Sequence, residues 1–425
     1  MINKKIFFLI IILLITTFLF IGNNTASAAS EKFSKVKNLQ VEQLYKTGKV
    51  KVSWNKNKNA DQYIIKLFIG SKLKKKIITE KKNKIFKSKL FKAEKKYKVK
   101  VKIKATDDTK SSLWRQKRLT YAGKPSFSEK TPTTELNGSQ LWLFAVNDGE
   151  DQLALSQEIN GEVKMARFDM ASPDASPAWQ TVLSTDDLDG ASVADHWHIF
   201  AHGFHYIVAS VDTADKSVLL KLDKDFNRVS LTTVTESEIT NDMFMVESNK
   251  GVVVGHYLPG YGHKLFILDQ DGNLLKTKNI GGGQYIHSNG ASVIKTETGY
   301  SLFAGTTLDP NSSSFIKQID FNSKWEAQKV TKLLKIDNRN INFATAAFLD
   351  GDYLMLSIRM IDVGDEDSGE IYRYIFYPNS KTVYSSKSVA LGNRPHTTVS
   401  GNYLITSWDE VGAGTSIKIE NISYK

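Results

Sequence analysis

Five short polar segments in the second half of the chain carry side chains suited to hydrogen bonding, metal binding or proton transfer. They are Asp195-His196-Trp197-His198, Asn241-Asp242, Tyr285-Ile286-His287-Ser288-Asn289, Arg339-Asn340-Ile341-Asn342 and Asn393-Arg394-Pro395-His396. A second set contains His256-Tyr257, Tyr261, His263, Asp309, Arg359, Asp362 and Trp408-Asp409-Glu410. Imidazole, amide, carboxylate and guanidinium groups beside Trp197, Tyr257, Tyr261 and Trp408 suit a sugar, whose hydroxyls need polar partners and whose C–H faces need aromatic ones. The candidate ligand set is Asp195, Trp197, His198, Asp242, His256, Tyr257, His287, Asn342, Arg359, Arg394, His396, Trp408 and Asp409. A divalent metal is the second chemistry, held by neutral imidazoles of His198, His287 and His396 with Asp242. A bland alternative stays open: a polar ring that orders water and seals a channel.

Catalysis also stays open. Asp195, Asp242, Asp409 and Glu410 could furnish the acid and base of a glycoside hydrolase, and a histidine could act as base in a polysaccharide lyase. No nucleophile elbow, phosphate loop, HExxH motif or sialidase-type Asp-box repeat occurs. A binding protein for a glycan or other small polar ligand is therefore the first reading, and a carbohydrate-active enzyme the alternative.

The elements that would gather these residues are repeats. An apolar run ending in a small residue begins at Leu153, Tyr206, Val253, Tyr300, Tyr353 and Tyr403, with spacings of 53, 47, 47, 53 and 50 residues. A turn at Gly149, Gly203, Gly251, Gly299, Gly351 or Gly401 precedes each run, and a further apolar strand follows it, usually ending at an acid such as Asp169, Asp223, Asp269 or Asp320. Strand, turn, strand, loop, strand and a variable fourth strand over about 50 residues describe a propeller blade, so six copies predict a six-bladed β-propeller over 125–425. The sixth copy ends after its third strand, so residues around Ser126-Phe127-Ser128 are expected to complete it and close the ring. First strands line a propeller's channel, which places the two polar sets at one mouth, with His205 on the hairpin at the opposite end. Asp269-Gln270-Asp271-Gly272-Asn273 resembles a calcium loop but lacks the downstream glutamate, and reads better as a β-turn.

Charge divides the chain. Residues 31–123 hold 29 Lys and Arg against 7 Asp and Glu, a net of +22, whereas 124–425 hold 26 against 38, a net of −12. So large a break marks a domain boundary near Gly123-Lys124-Pro125. Within the basic part, Lys49-Val50-Lys51-Val52-Ser53-Trp54 and Tyr97-Lys98-Val99-Lys100-Val101-Lys102-Ile103-Lys104 alternate with period two, the mark of half-buried strands. Val50-x-Val52-x-Trp54, Ala60-Asp61-Gln62-Tyr63, and Leu90 followed by Tyr97, Val99, Val101 and Ile103 resemble the strands of a fibronectin type III domain, including its tyrosine corner. The resemblance covers about 90 residues, 33–122, and implies a spacer or binding module without catalysis. The expected fold class is thus all-β: a fibronectin type III-like β-sandwich plus a six-bladed β-propeller.

The lysines are either a solvating face or an attachment to an anionic surface polymer through residues 31–123. Nucleic acid is the weaker candidate, because lysine outnumbers the arginine that base readout favours. At the N-terminus Lys4-Lys5, an apolar run from Ile6 to Ile21 interrupted by Thr16-Thr17, and Ala26-Ser27-Ala28 have the order of a signal peptide over 1–28. Cleavage would leave no transmembrane segment and a secreted or cell-surface chain; the alternative is a retained anchor. Cysteine is absent, which excludes disulfides, thiolate metal sites and a lipid-modified cysteine.

Overall fold

The computed structural model describes residues 35–424 except 45–46, 59, 94, 105–110, 131–133, 137–142, 148–151, 171, 173–176, 213–215, 236–242, 259–261, 281–290, 307–313, 338, 350–352, 363–368, 379 and 411–413; the side chains at 134–136, 306, 340 and 342–343 are also outside it. The apolar N-terminal segment lies outside the described residues. Among them, no helix is long and apolar enough to cross a membrane. The chain divides into two units at Gly123/Lys124.

The first unit is a β-sandwich. Its strands are β1 (Gln40–Leu44), β2 (Lys49–Ser53), β3 (Gln62–Ile69), β4 (Lys72–Thr79), β5 (Asn83–Phe86), β6 (Lys96–Lys104) and β7 (Arg115–Thr120). One sheet has the order β1-β2-β5 and the other β4-β3-β6-β7. Alternation decides which face is buried: Tyr97, Val99, Val101 and Ile103 of β6 join Val50, Val52, Trp54, Tyr63, Ile65 and Leu67 in one apolar core, while the intervening lysines face outward. Two buried phenols solve local backbone problems. The Tyr97 hydroxyl accepts the Lys92 N–H at 2.8 Å, and the Tyr63 hydroxyl accepts that of Asn57 at 2.8 Å. The first of these is the geometry of a tyrosine corner.

The second unit is a ring of six antiparallel sheets, five of four strands and the sixth of four with a short fifth. Blades 1 to 5 span Leu143–Leu183, Val193–Thr235, Met243–Ile280, Ala291–Ile336 and Arg339–Leu391. The first strands of successive blades pack side by side in chain order, and that of blade 6 (Asn393–Ser400) returns to that of blade 1 (Leu143–Asn147). The sixth sheet takes its outer strand from the start of the unit. Pro125–Glu129 pairs with Thr415–Tyr424, with Phe127 opposite Ile422, and Thr134–Leu136 pairs further along the same strand. Strands from both ends of the unit thus share one sheet, which closes the ring.

The small residue on the second strands of blades 1, 3, 5 and 6 has a packing reason. The Ser156 hydroxyl of blade 1 lies 3.1 Å from His196 Nε2 of blade 2, Ser357 of blade 5 bonds Thr397 of blade 6 at 2.7 Å, and Ser407 of blade 6 donates to the Leu143 carbonyl of blade 1 at 2.8 Å. A larger side chain would hold the blades apart. Blade 3 has Gly255 here because the Phe244 ring lies across it, and an added methyl would stand 2.2 Å from that ring. Replacing Gly255 with alanine is expected to lower stability by about 1–3 kcal/mol through overpacking. Urea denaturation checks this, and the double change with Phe244→Leu should recover part of the loss.

The outer hairpins lock neighbouring blades. Arg167 of blade 1 donates to the Lys224 carbonyl in the outer turn of blade 2. The Tyr206 hydroxyl and Lys221 of blade 2 reach Gln270 and Asp271 of blade 3 at 2.9 and 3.1 Å, and Lys278 of blade 3 reaches the Lys324 carbonyl of blade 4 at 2.8 Å. In each case a side chain of one blade holds the next blade's turn.

Candidate functional site

Asp269 shows how those turns are built. Its Oδ1 accepts the N–H groups of Asp271 and Asn273, both at 2.9 Å, and its Oδ2 accepts the Asn273 amide at 3.0 Å. Asp223 and Asn322 repeat the arrangement in blades 2 and 4. The carboxylate is committed to its own backbone, so the segment is a β-turn in which Asp269 serves the fold.

At the axis, Phe144 of blade 1 is the hub, although in the sequence it looks like any core phenylalanine. Its ring centroid lies 5.0 Å from His196, 5.0 Å from Trp197 and 4.7 Å from His396. Trp197 and His396 meet edge to face at 5.9 Å. First strands of blades 1, 2 and 6 therefore bring four rings together beneath the mouth. Burial disfavours charge on both imidazoles, lowering His196 to about 3 and His396 to about 4. They are neutral at physiological pH. The Nδ1 atoms of His196 and His396 are buried without a hydrogen-bond partner among the described residues.

Other candidates go elsewhere. His198 turns from the mouth cluster to His205, its Nε2 lying 3.1 Å from His205 Nδ1. One neutral ring donates and the other accepts, as burial of both requires. His256 lies 3.2 Å from the Ser217 hydroxyl across the seam between blades 2 and 3, and Tyr257 packs on His263 with centroids 5.6 Å apart. His202 joins His205 at the hairpin end of blade 2, donating from Nε2 to the carbonyls of Ser248 and Gly251 at 2.9 and 3.1 Å. Asp195 is buried on the first strand of blade 2, in register with Ser210. Asp242, Tyr261, His287 and Asp309 lie outside the described residues. Asn342 belongs to the first strand of blade 5 at a register shift between Ile341 and Phe343, and its side chain is outside the described set. Among the described residues no group of three His, Asp or Glu could hold a metal ion. Of the candidate metal set His198, His287 and His396, only the first and last are among the described residues.

The mouth of blades 5 and 6 gathers charge. Arg339 Nε lies 2.7 Å from Asp362, and its Nη1 3.1 Å from Glu370. Burial pushes the Glu370 carboxyl up, but hydrogen bonds from Ser388, Tyr372 and Arg339 outweigh it and hold the group below its usual value. Arg359 packs above Gly369, where an added Cβ would stand 2.4 Å from its Nε. Arg394 adopts a left-handed backbone with φ of 47°, a conformation costly for a residue with a Cβ, and places its guanidinium 3.6 Å from Asp409. Trp408 packs beside Gly392, so Trp408, Asp409, Asn393 and Arg394 form one corner of blade 6. The Trp408 indole N–H and Asn393 Oδ1 are buried there without a partner among the described residues. Arg359, Arg394, Trp408 and Asp409 are therefore brought to one region, joined by Arg339, Asp362 and Glu370. The sequence signal for Arg339 was its position as the first residue of a blade.

A separate cavity of about 290 Å³ lies between the outer strands of blades 1 and 2, lined by Arg167, Ala178, Gln180, Asp225 and Phe226. The Arg167 guanidinium covers the Phe226 ring at 4.4 Å, so the cation is already engaged.

No protein-family model and no curated protein matches the chain. Solved structures do resemble it. A protein of unknown function from Dyadobacter fermentans superposes with a TM-score of 0.50 at 13% identity, covering 71% of this chain and 99% of that one. AofleA from Arthrobotrys oligospora gives 0.40 at 11% identity over 69% and 83%, and the Hadza microbial sialidase Hz136 gives 0.45 at 8% identity over 92% and 98%. At such identities the likeness is one of fold alone; the strand order of this chain itself shows an all-β architecture of β-sandwich and six-bladed propeller.

Proposed function

We propose that this chain is a secreted or cell-surface binding protein whose propeller holds a glycan or another small polar ligand at the channel mouth. In this reading residues 33–122 are a fibronectin type III-like module that attaches to anionic surfaces, and residues 1–28 are the removed leader. The observation that carries the ligand reading is the blade 6 corner. Buried polar atoms are nearly always hydrogen-bonded, yet His396 Nδ1, Asn393 Oδ1 and the Trp408 indole N–H have no partner among the described residues, beside the strained Arg394. Donors, an acceptor and aromatic surface at one mouth suit hydroxyl recognition.

The hydrolase alternative draws less support. Asp362 and Glu370 share the guanidinium of Arg339, and Asp409 faces Arg394. A general acid requires a raised pKa, whereas Glu370 is lowered. The test is a glycan-array screen of the mature chain, followed by titration of hits against Arg394→Gln and Asn393→Ala. Loss of binding at least tenfold with an unchanged melting temperature is expected, and chelators should change neither quantity. Unaltered affinity in both variants would overturn this location for the site.

A further inference from the structure

We infer that the outer face of the β4-β3-β6-β7 sheet is a docking surface for an extended acidic polysaccharide of the polyuronate class. The inference rests on the proposed anionic attachment and adds its location and ligand chemistry.

Register places the charges. Lys66 stands opposite Lys76 on one side and Lys100 on the other; Lys100 continues to Gln116. In the adjacent row, Phe68 faces Lys98, which faces Arg118. Lys102 lies opposite Ile64. Like charges directly across a sheet destabilise it. Three lysines in one row, with no acidic residue on that face of the four strands, therefore work against the fold. A face arranged only for solubility would intersperse both signs. Neighbouring strands lie about 4.8 Å apart and alternate residues on one strand about 6.7 Å apart, so the ammonium groups form a grid over which a regularly charged chain can run.

Rings hold this grid in position. Lys98 and Lys100 lie 5.5 and 5.6 Å from the centre of Phe68, and Lys66 and Lys102 lie 5.0 and 5.3 Å from that of Trp114. Cation–π attraction orders side chains that would otherwise be mobile. It also sets aromatic surface between the charges, where the C–H face of a sugar can rest. The bidentate fork of arginine matches carboxylate and phosphate alike, whereas lysine acts as a point charge. Residues 31–123 contain only Arg115 and Arg118 beside 27 lysines, so the face offers spaced point charges, and a polyuronate, with one carboxylate on each sugar ring, presents charge at regular intervals along an extended chain.

The test uses the mature full chain and polygalacturonate, with single-stranded DNA and anionic phospholipid vesicles as competing probes. Replacing Lys66, Lys98, Lys100 and Lys102 by glutamine should weaken polygalacturonate binding at least thirtyfold. The same change at Lys37, Lys49, Lys84 and Lys89, exposed elsewhere on the sandwich, should weaken it less than threefold. Binding should fall steeply with salt and change tryptophan emission, and Trp114→Phe should abolish that change. Equal losses in the two quadruple variants would overturn the face while leaving general anionic attachment intact. Failure of the unmodified chain to bind any polyanion would remove the attachment reading itself. Tighter, face-dependent binding of DNA or vesicles would overturn the polysaccharide assignment.

Discussion

Acidification from pH 7 to 4 will unfold the propeller and leave the sandwich folded. Burial lowers His196, His205 and His263 to about 3 and His396 to about 4, and holds His198 well below its ordinary 6.5. In the unfolded chain these rings take up protons near pH 6.5. Between that value and the folded-state values the unfolded chain binds more protons, so stability falls as pH falls. The contribution is complete above about pH 6.5 and is lost progressively down to pH 3–4. One fully buried neutral histidine costs about 1.4 kcal/mol per pH unit in this window. Even two groups acting fully would remove about 5 kcal/mol by pH 4.5, comparable with the lower end of ordinary domain stability. All eight histidines lie at or beyond residue 196, so the sandwich has none. Circular dichroism and tryptophan fluorescence against pH should show a propeller transition above pH 4. The double change His198→Leu and His205→Phe should move that midpoint to lower pH by half a unit or more. A midpoint below pH 3 would show that the imidazoles do not control acid stability.

Removing the Arg373 guanidinium will damage the ring more than changing any surface ion pair. Arg373 of blade 5 and Glu420 of blade 6 are 4% and 6% exposed, with Nη2 2.5 Å from the carboxylate. The same nitrogen lies 3.3 Å from the Thr406 hydroxyl, and the guanidinium lies 5.4 Å from the ring of Phe127 on the closing strand. A buried pair gains little net stability over apolar replacements, but breaking it strands a charge and costs about 3–5 kcal/mol. Arg373→Met should therefore lose a large fraction of the propeller's stability, with the closing strand among the first parts to exchange amide hydrogens. Arg373→Met combined with Glu420→Leu should recover most of the loss. Arg373→Lys should fall between them, since an ammonium cannot reproduce the planar fork. Equal losses in the single and double variants would show that packing at this seam, rather than charge, is responsible.

Much of this architecture was legible in the chain because burying one face of a strand imposes a local pattern. Alternation from Tyr97 to Ile103 announced a sandwich strand, and repeated apolar runs from Leu153 to Tyr403 announced six blades. A final copy without a fourth strand required one from elsewhere, and Phe127 opposite Ile422 supplies it. The turn at Asp269 followed from the hydrogen-bonding reach of its short side chain. The ring contacts at the axis were not legible in this way. His196 and His198 share one side of a strand two residues apart, yet one meets Ser156 of the preceding blade and the other meets His205 of its own sheet. Phe144 looks like any core residue until the closed ring sets it between His196, Trp197 and His396. Arg373 and Glu420, 47 positions apart, become partners only across a seam between blades. Strand identity depends on neighbours along the chain, whereas the partner of a buried polar group depends on where the closed ring places another strand's side chain.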